Sequence, residues 1–118
     1  MADSEPEEII TLGAELGAAF GKGRGRDFHT YSEEDGKGRR KIEITINESP
    51  PRGLADGETL AAAAARFMAD AEQYDGTHIF KGWLVSECRY SEVYTGRDEP
   101  AFNSVTVVLL NSPAYGEK

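Results

Sequence analysis

The sequence predicts an α+β domain of order α-β-β-α-β-β, with two helices packed on one face of a four-stranded, mostly antiparallel sheet. Three observations carry this. Ile42, Ile44 and Ile46 alternate with Glu43, Thr45 and Asn47, the period-2 pattern of a half-buried strand. Val105, Val107 and Leu109 alternate in the same way with Ser104, Thr106 and Val108. Leu60, Ala64, Phe67, Met68, Ala71 and Tyr74 recur at helical spacing around the alanine run 61–65.

Residues 4–20 read as the first helix. Ser4 with Glu7 forms a capping box, Pro6 falls in the first turn, and Ile9, Leu12, Leu16, Ala19 and Phe20 line one stripe. Gly21 offers the left-handed stop. Residues 21–26, GKGRGR, have the composition of a flexible loop. Strands are expected over 27–32 and 39–47, joined through Glu34-Asp35-Gly36-Lys37-Gly38, whose glycines supply turn conformations. After the Pro50, Pro51, Gly53 break, Asp56 is the expected cap of a second helix running to Tyr74, with Gly76 as its stop. Long strands follow at 78–91 and 102–110, and 111–118 reads as an irregular tail. The expected core is Ile9, Leu12, Leu16, Phe20, Ile42, Ile44, Ile46, Leu60, Phe67, Leu84, Val105, Val107 and Leu109.

A length of 118 residues fits one domain spanning 1–118. No apolar run approaches the roughly 20 residues of a membrane helix. The acidic opening MADSEPEE does not resemble an export signal. Cys88 is the single cysteine, so no internal disulfide forms, and the expected compartment is the cytoplasm, where thiols stay reduced.

The net charge is −8, which disfavours nucleic acid as a direct ligand because phosphate attraction dominates that affinity. Residues 22–41 run against this trend. Lys22, Arg24, Arg26, Lys37, Arg39, Arg40 and Lys41 stand there against Asp27, Glu33, Glu34 and Asp35. Lys22, Arg24, Arg26, Arg39 and Arg40 are therefore the candidates for an anion site. GKGRGR, however, follows a helix instead of preceding one, and it lacks phosphate-loop spacing. A solvated linker is the preferred reading.

His29, His78 and Cys88 match no metal-ligand spacing, so no metal or other cofactor is expected. On one extended strand, His78 and Cys88 would stand over 30 Å apart (about 3.3 Å per residue), too far to form a nucleophile pair. Even positions of that strand, Phe80, Leu84, Cys88 and Tyr90, are assigned to the core, which makes Cys88 a buried structural thiol. Odd positions Lys81, Trp83, Val85, Glu87 and Arg89 are assigned to the open face. Lys41, Glu43 and Thr45 face outward from the second strand. Trp83, Lys81, Glu87, Arg89, Lys41 and Glu43 thus form the expected partner-binding surface, an aromatic centre with a charged rim.

The reading preferred from these features is a non-enzymatic protein-binding module. The Ala-, Gly- and Arg-rich usage is that of a GC-rich bacterial or phage genome, and an acidic surface suits an accessory or inhibitor protein that occupies a basic cleft. The alternatives are a virion or assembly component that self-associates as a homo-oligomer, and a small nucleotide-binding protein or enzyme centred on His29 and the basic Gly-rich loop. No catalytic residue is assigned.

Overall fold

A computed structural model describes residues 7–21, 26–48, 59–94 and 100–116. Among these residues, two helices and six strands occur in the order α1 (Glu7–Ala19), β1 (Arg26–Glu34), β2 (Arg40–Glu48), α2 (Leu60–Asp70), β3 (Glu72–Tyr74), β4 (Thr77–Phe80), β5 (Trp83–Tyr94) and β6 (Pro100–Leu110). The strands form a single sheet of order β1-β2-β6-β5-β4-β3. Every neighbouring pair is antiparallel.

The expected four-stranded sheet with two helices packed on it is overturned: among the described residues the sheet has six strands, and sheet outweighs helix. The two additional strands come from two-residue turns. Asp75-Gly76 (φ 53° and 81°) joins β3 to β4, and Lys81-Gly82 (φ 51° and 85°) joins β4 to β5. Two consecutive positive φ values make a type I′ turn, whose twist matches that of the strands it connects. Gly76 therefore does not stop a helix but turns a hairpin, and the expected strand 78–91 folds back on itself at Lys81-Gly82.

The second helix is correspondingly shorter than expected. Thr59 caps it, its hydroxyl accepting from the Ala62 N–H at 3.1 Å. The expected cap Asp56 lies outside the described residues, as does Ser4 at the start of α1. At the other end Ala71 is extended (φ −66°, ψ 143°), although its N–H still reaches the Phe67 carbonyl at 3.1 Å. Residues 72–74 consequently leave the helix and pair with β4.

The inner face of the sheet carries the core. Ile42, Ile44 and Ile46 of β2 lie opposite Leu109, Val107 and Val105 of β6, and all six are fully buried. Ile9, Leu12 and Leu16 from α1, Phe20 just after it, and Leu60, Ala63, Ala64 and Phe67 from α2 close over them in one cluster. Each Val, Leu, Ile or Phe side chain among them contributes roughly 1.5–3 kcal/mol by leaving water. Phe67 sits between two rings, Phe20 at 5.3 Å and Phe80 at 5.2 Å between centroids. Helix α1 lies close over β1, since a Cβ placed on Gly13 would come 3.9 Å from the Thr30 hydroxyl. Among the described residues, no helix is long and apolar enough to cross a membrane.

Strand β5 departs from simple alternation. Val85 pairs with Leu109 and Glu87 with Val108, so Ser86 is an extra residue, a β-bulge. The bulge exchanges the faces. Before it Trp83 and Val85 point into the core; after it Cys88 and Tyr90 do. Leu84 lies on the other side and is only half-buried, the one member of the expected core placed on the wrong face.

Candidate functional site

The outer face of the sheet lies opposite the helices. The registers set its rows. Tyr31, Glu43, Val108 and Glu87 lie side by side across β1, β2, β6 and β5. His29, Thr45, Thr106 and Arg89 form the next row, and Asp27, Asn47, Ser104 and Ser91 the one after. Lys41 begins a row on the other side that continues through Leu110 and Leu84 to Ile79. Tyr31, His29, Asp27, Arg89 and Ser91 are exposed at the margins, while Val108 and Ser104 at the centre are closed to water.

Four of the six expected partner-binding residues, Lys41, Glu43, Glu87 and Arg89, therefore share this face. Trp83 does not. It is 5% exposed and belongs to the inner core cluster. Lys81 also lies elsewhere, in the turn before β5, where its ammonium group stands 3.4 Å from Glu15 of α1. The expected aromatic centre is thus replaced by Val108, flanked by Glu43 and Glu87. Trp83 and Lys81 instead line a cleft of about 490 Å³ beneath α1, with Leu12, Thr11, Glu7 and Glu15.

One corner of the outer face is organised by carboxylates. Lys41 lies 3.1 Å from Glu33, and the Tyr115 hydroxyl donates to the same carboxylate at 2.8 Å. Tyr31 donates to its second oxygen at 3.1 Å. These donors hold Glu33 below the usual carboxylate range, the bond from Tyr115 contributing most. Burial and the bond to Glu33 push the Tyr115 hydroxyl up to about 12.

Asp35 is the second fastening point. It accepts from the N–H groups of Lys37 (2.9 Å) and Gly116 (3.0 Å) and from the Arg39 guanidinium (2.6 Å). Burial raises its pKa, but the Gly116, Lys37 and Arg39 donors outweigh burial and bring it to about 2. The segment 112–116, expected as an irregular tail, is thereby fastened to the β1–β2 turn.

This fastening has a pH signature. Asp35 has a folded-state pKa below its ordinary 3.8, so its contribution to stability is present above that value and is lost as pH falls towards about 2. Asp35→Asn should flatten the acid limb of a denaturation series between those two pH values. It should also speed amide exchange at Gly116. Unchanged exchange at Gly116 would show that the segment is held by other contacts.

The basic candidates do not converge. Lys22 and Arg24 lie outside the described residues. Arg26 pairs with Glu48 at one end of β1, while Arg40 pairs with Glu34 at the other, eight residues or about 27 Å away. Arg39 is bound to Asp35, and Arg40 lies 3.4 Å from Glu34 and from the Ser32 hydroxyl. The hairpin end of this segment is therefore satisfied by its own carboxylates.

His29 and Cys88 are on opposite faces and on strands separated by two others. The expected 30 Å between His78 and Cys88 does not hold, because the Lys81-Gly82 turn returns β5 alongside β4. Burial, with help from Glu87, pushes the Cys88 thiol up to about 11. A nucleophilic cysteine requires the opposite displacement. Among the described residues, no group of three or more His, Cys, Asp or Glu side chains could hold a metal ion.

Sequence reasoning missed Tyr31 and Val108. Tyr31 was legible, since it shares odd parity with His29 and Glu33 beside a strand whose even positions face the core. Val108 shares the outward parity of Ser104 and Thr106, but as one more apolar residue in an apolar run it does not stand out as a site. No family model, no curated protein and no solved structure matches this chain.

Proposed function

We propose that the chain is a non-enzymatic protein-binding module, and that the outer face of the sheet is the surface that binds. The observation that supports this is the composition of that face. Glu43 and Glu87 flank Val108 at its middle, Asp27 and Glu33 stand on β1 at its margin, and Lys41 and Arg89 are the bases among them. A charged surface of this kind selects its partner by complementary charge. Acids outnumber bases here as in the whole chain, whose net charge is −8, so the matching partner presents a basic surface. An accessory or inhibitory role against such a partner, in a bacterial or phage setting, agrees with the residue usage.

Glu43→Lys together with Glu87→Lys tests the proposal. Both positions are surface carboxylates flanking Val108, so stability should change little. Affinity capture from the native host with mass spectrometry should recover one basic partner with the wild type. The double variant should lose it, or bind at least about tenfold more weakly, with a slower association rate. Equal recovery of the same partner by both proteins would remove the outer face from consideration.

A further inference from the structure

Resting on the reading of the outer face as the binding surface, we infer that its occupant is a basic amphipathic helix of the partner. The apolar side of that helix covers Leu110, Leu84 and Ile79, and its lysines or arginines reach Glu43, Glu87 and Glu72.

The apolar part of the face is a second cluster, separate from the core. Leu110, Leu84 and Ile79 stand side by side on β6, β5 and β4, and Val108 follows Leu110 on the same side of β6. Leu110, Leu84 and Ile79 are half-buried, yet none of them packs against the inner cluster. Direct cross-strand neighbours on one face touch one another, so these side chains cover each other and leave their tips outward. The segment 112–116 ends on the other side of the face, where Tyr115 reaches Glu33 and Gly116 reaches Asp35. From β6 to β4 the patch is about 10 Å wide, two strand spacings. One α-helix with its side chains is about 10–12 Å across.

Backbone chemistry selects a helix for this place. The face of a sheet offers side chains only, because the N–H and carbonyl groups of its strands bond sideways to one another. A segment seated there must therefore satisfy its own backbone. A helix does so within itself, whereas an extended segment would need the edge of a sheet.

Carboxylates border the patch on both flanks. Glu43 stands on β2 and Glu72, directly opposite Ile79, on β3. Four strand spacings, about 19 Å, separate β2 from β3. Glu87 lies beside Val108 between them. Lys41 and Arg89 are already matched, by Glu33 at 3.1 Å and by Glu87 at 3.4 Å. Among the described residues, no ion pair engages Glu43 or Glu72. The Arg89–Glu87 pair is exposed, so it holds Glu87 weakly. A helix lying along β6 and β5 thus has acids on either side. Lysine and arginine bridge the remaining distance, since their apolar stems lie on apolar surface while the charge extends beyond it. Nucleic acid or an anionic membrane would meet the same carboxylates with like charge.

The probe is a labelled synthetic peptide of about 14 residues, with leucines at helical spacing on one side and arginines on both flanks. Its control has the same composition in scrambled order. Peptides of this length are marginal helices on their own, so dichroism reads helix formation on binding. The wild-type chain should bind the helical peptide at least about tenfold more tightly than the scrambled one, with a gain of helix signal. Leu84→Gln and Leu110→Gln should each weaken it at least about fivefold. Thermal unfolding is measured for both, and if one perturbs folding the other decides. Glu43→Lys with Glu87→Lys should weaken it at least about tenfold. Equal binding of both peptides, each weakened by that charge reversal, overturns the helix and leaves the outer face as the binding surface. Binding of the helical peptide that survives the charge reversal overturns the outer face itself. A helical peptide that does not bind, or binds without gaining helix, overturns the inference.

Discussion

Trp83→Ala should destabilise the fold by about 3–5 kcal/mol, the range for truncating a buried aromatic side chain. Trp83 is 5% exposed, directly follows the Lys81-Gly82 turn, and faces Phe80 across it on the inner side of the sheet. Its loss removes one wall of the hydrophobic cluster at the point where β4 and β5 meet α1. For a chain of 118 residues, each kcal/mol corresponds to roughly 4 °C in Tm, so a fall of roughly 12–20 °C is expected by calorimetry or far-UV dichroism. The indole also reports its own environment, since it is the single tryptophan. Native emission should be blue-shifted and resistant to acrylamide, moving to the red on denaturation. Partner binding by the variant should fall only in proportion to the unfolded fraction. An unchanged Tm with a loss of binding would return the indole to the surface, as strand alternation alone would have it.

That contrast shows where the sequence is legible. Strand β2 and its partner β6 are regular, and the alternation of Ile42, Ile44 and Ile46 or Val105, Val107 and Leu109 survives intact into the burial pattern. Alternation is a count of twos, and it fails wherever one residue is inserted or a turn intervenes. Residues 78–91 contain both, a turn at Lys81-Gly82 and a bulge at Ser86. Counting from either end alone places half of the segment correctly. Glu87 and Arg89 lie beyond the bulge and keep the outward side expected of them; Lys81 and Trp83 lie before it and do not. Lysine is an uncommon residue at positive φ, so the turn had only Gly82 to announce it. Asp75-Gly76 was a stronger signal, because that dipeptide is among the preferred type I′ sequences. It was hidden by the apolar stripe of α2, which continues at helical spacing to Tyr74 although Ala71 has already left the helix. The carboxylate corner is a different case. Glu33, Asp35, Tyr115 and Gly116 are some eighty residues apart in the chain, and no local pattern relates them.

Phe67→Ala should cost about 3–5 kcal/mol, and its effect should begin at one edge of the molecule. Phe67 is 3% exposed, and its ring is in tilted contact with Phe20 after α1 and with Phe80 at the end of β4. Aromatic pairs of this geometry add about 0.5–1.5 kcal/mol beyond the area they cover. Two such contacts are lost together: the one with Phe20 joins the two helices, and the one with Phe80 joins the helix layer to the β3–β4 hairpin. That hairpin has little else to hold it. Pairing of β4 with β5 consists of Ile79 with Leu84 and Phe80 with Trp83, and β3 pairs with β4 alone. Elements with few buried contacts open below the global unfolding free energy. In the variant, amide exchange should therefore accelerate first and most in residues 72–80, while β2 and β6 continue to exchange by global unfolding. Phe67→Leu retains most of the volume and should recover all but about 1.5 kcal/mol. Its hairpin amides should remain faster than wild type, because leucine fills the space but supplies no ring to Phe80. Uniform acceleration across all strands in Phe67→Ala would mean that the hairpin and the central sheet unfold as one unit, and that Phe80 is held by something other than Phe67.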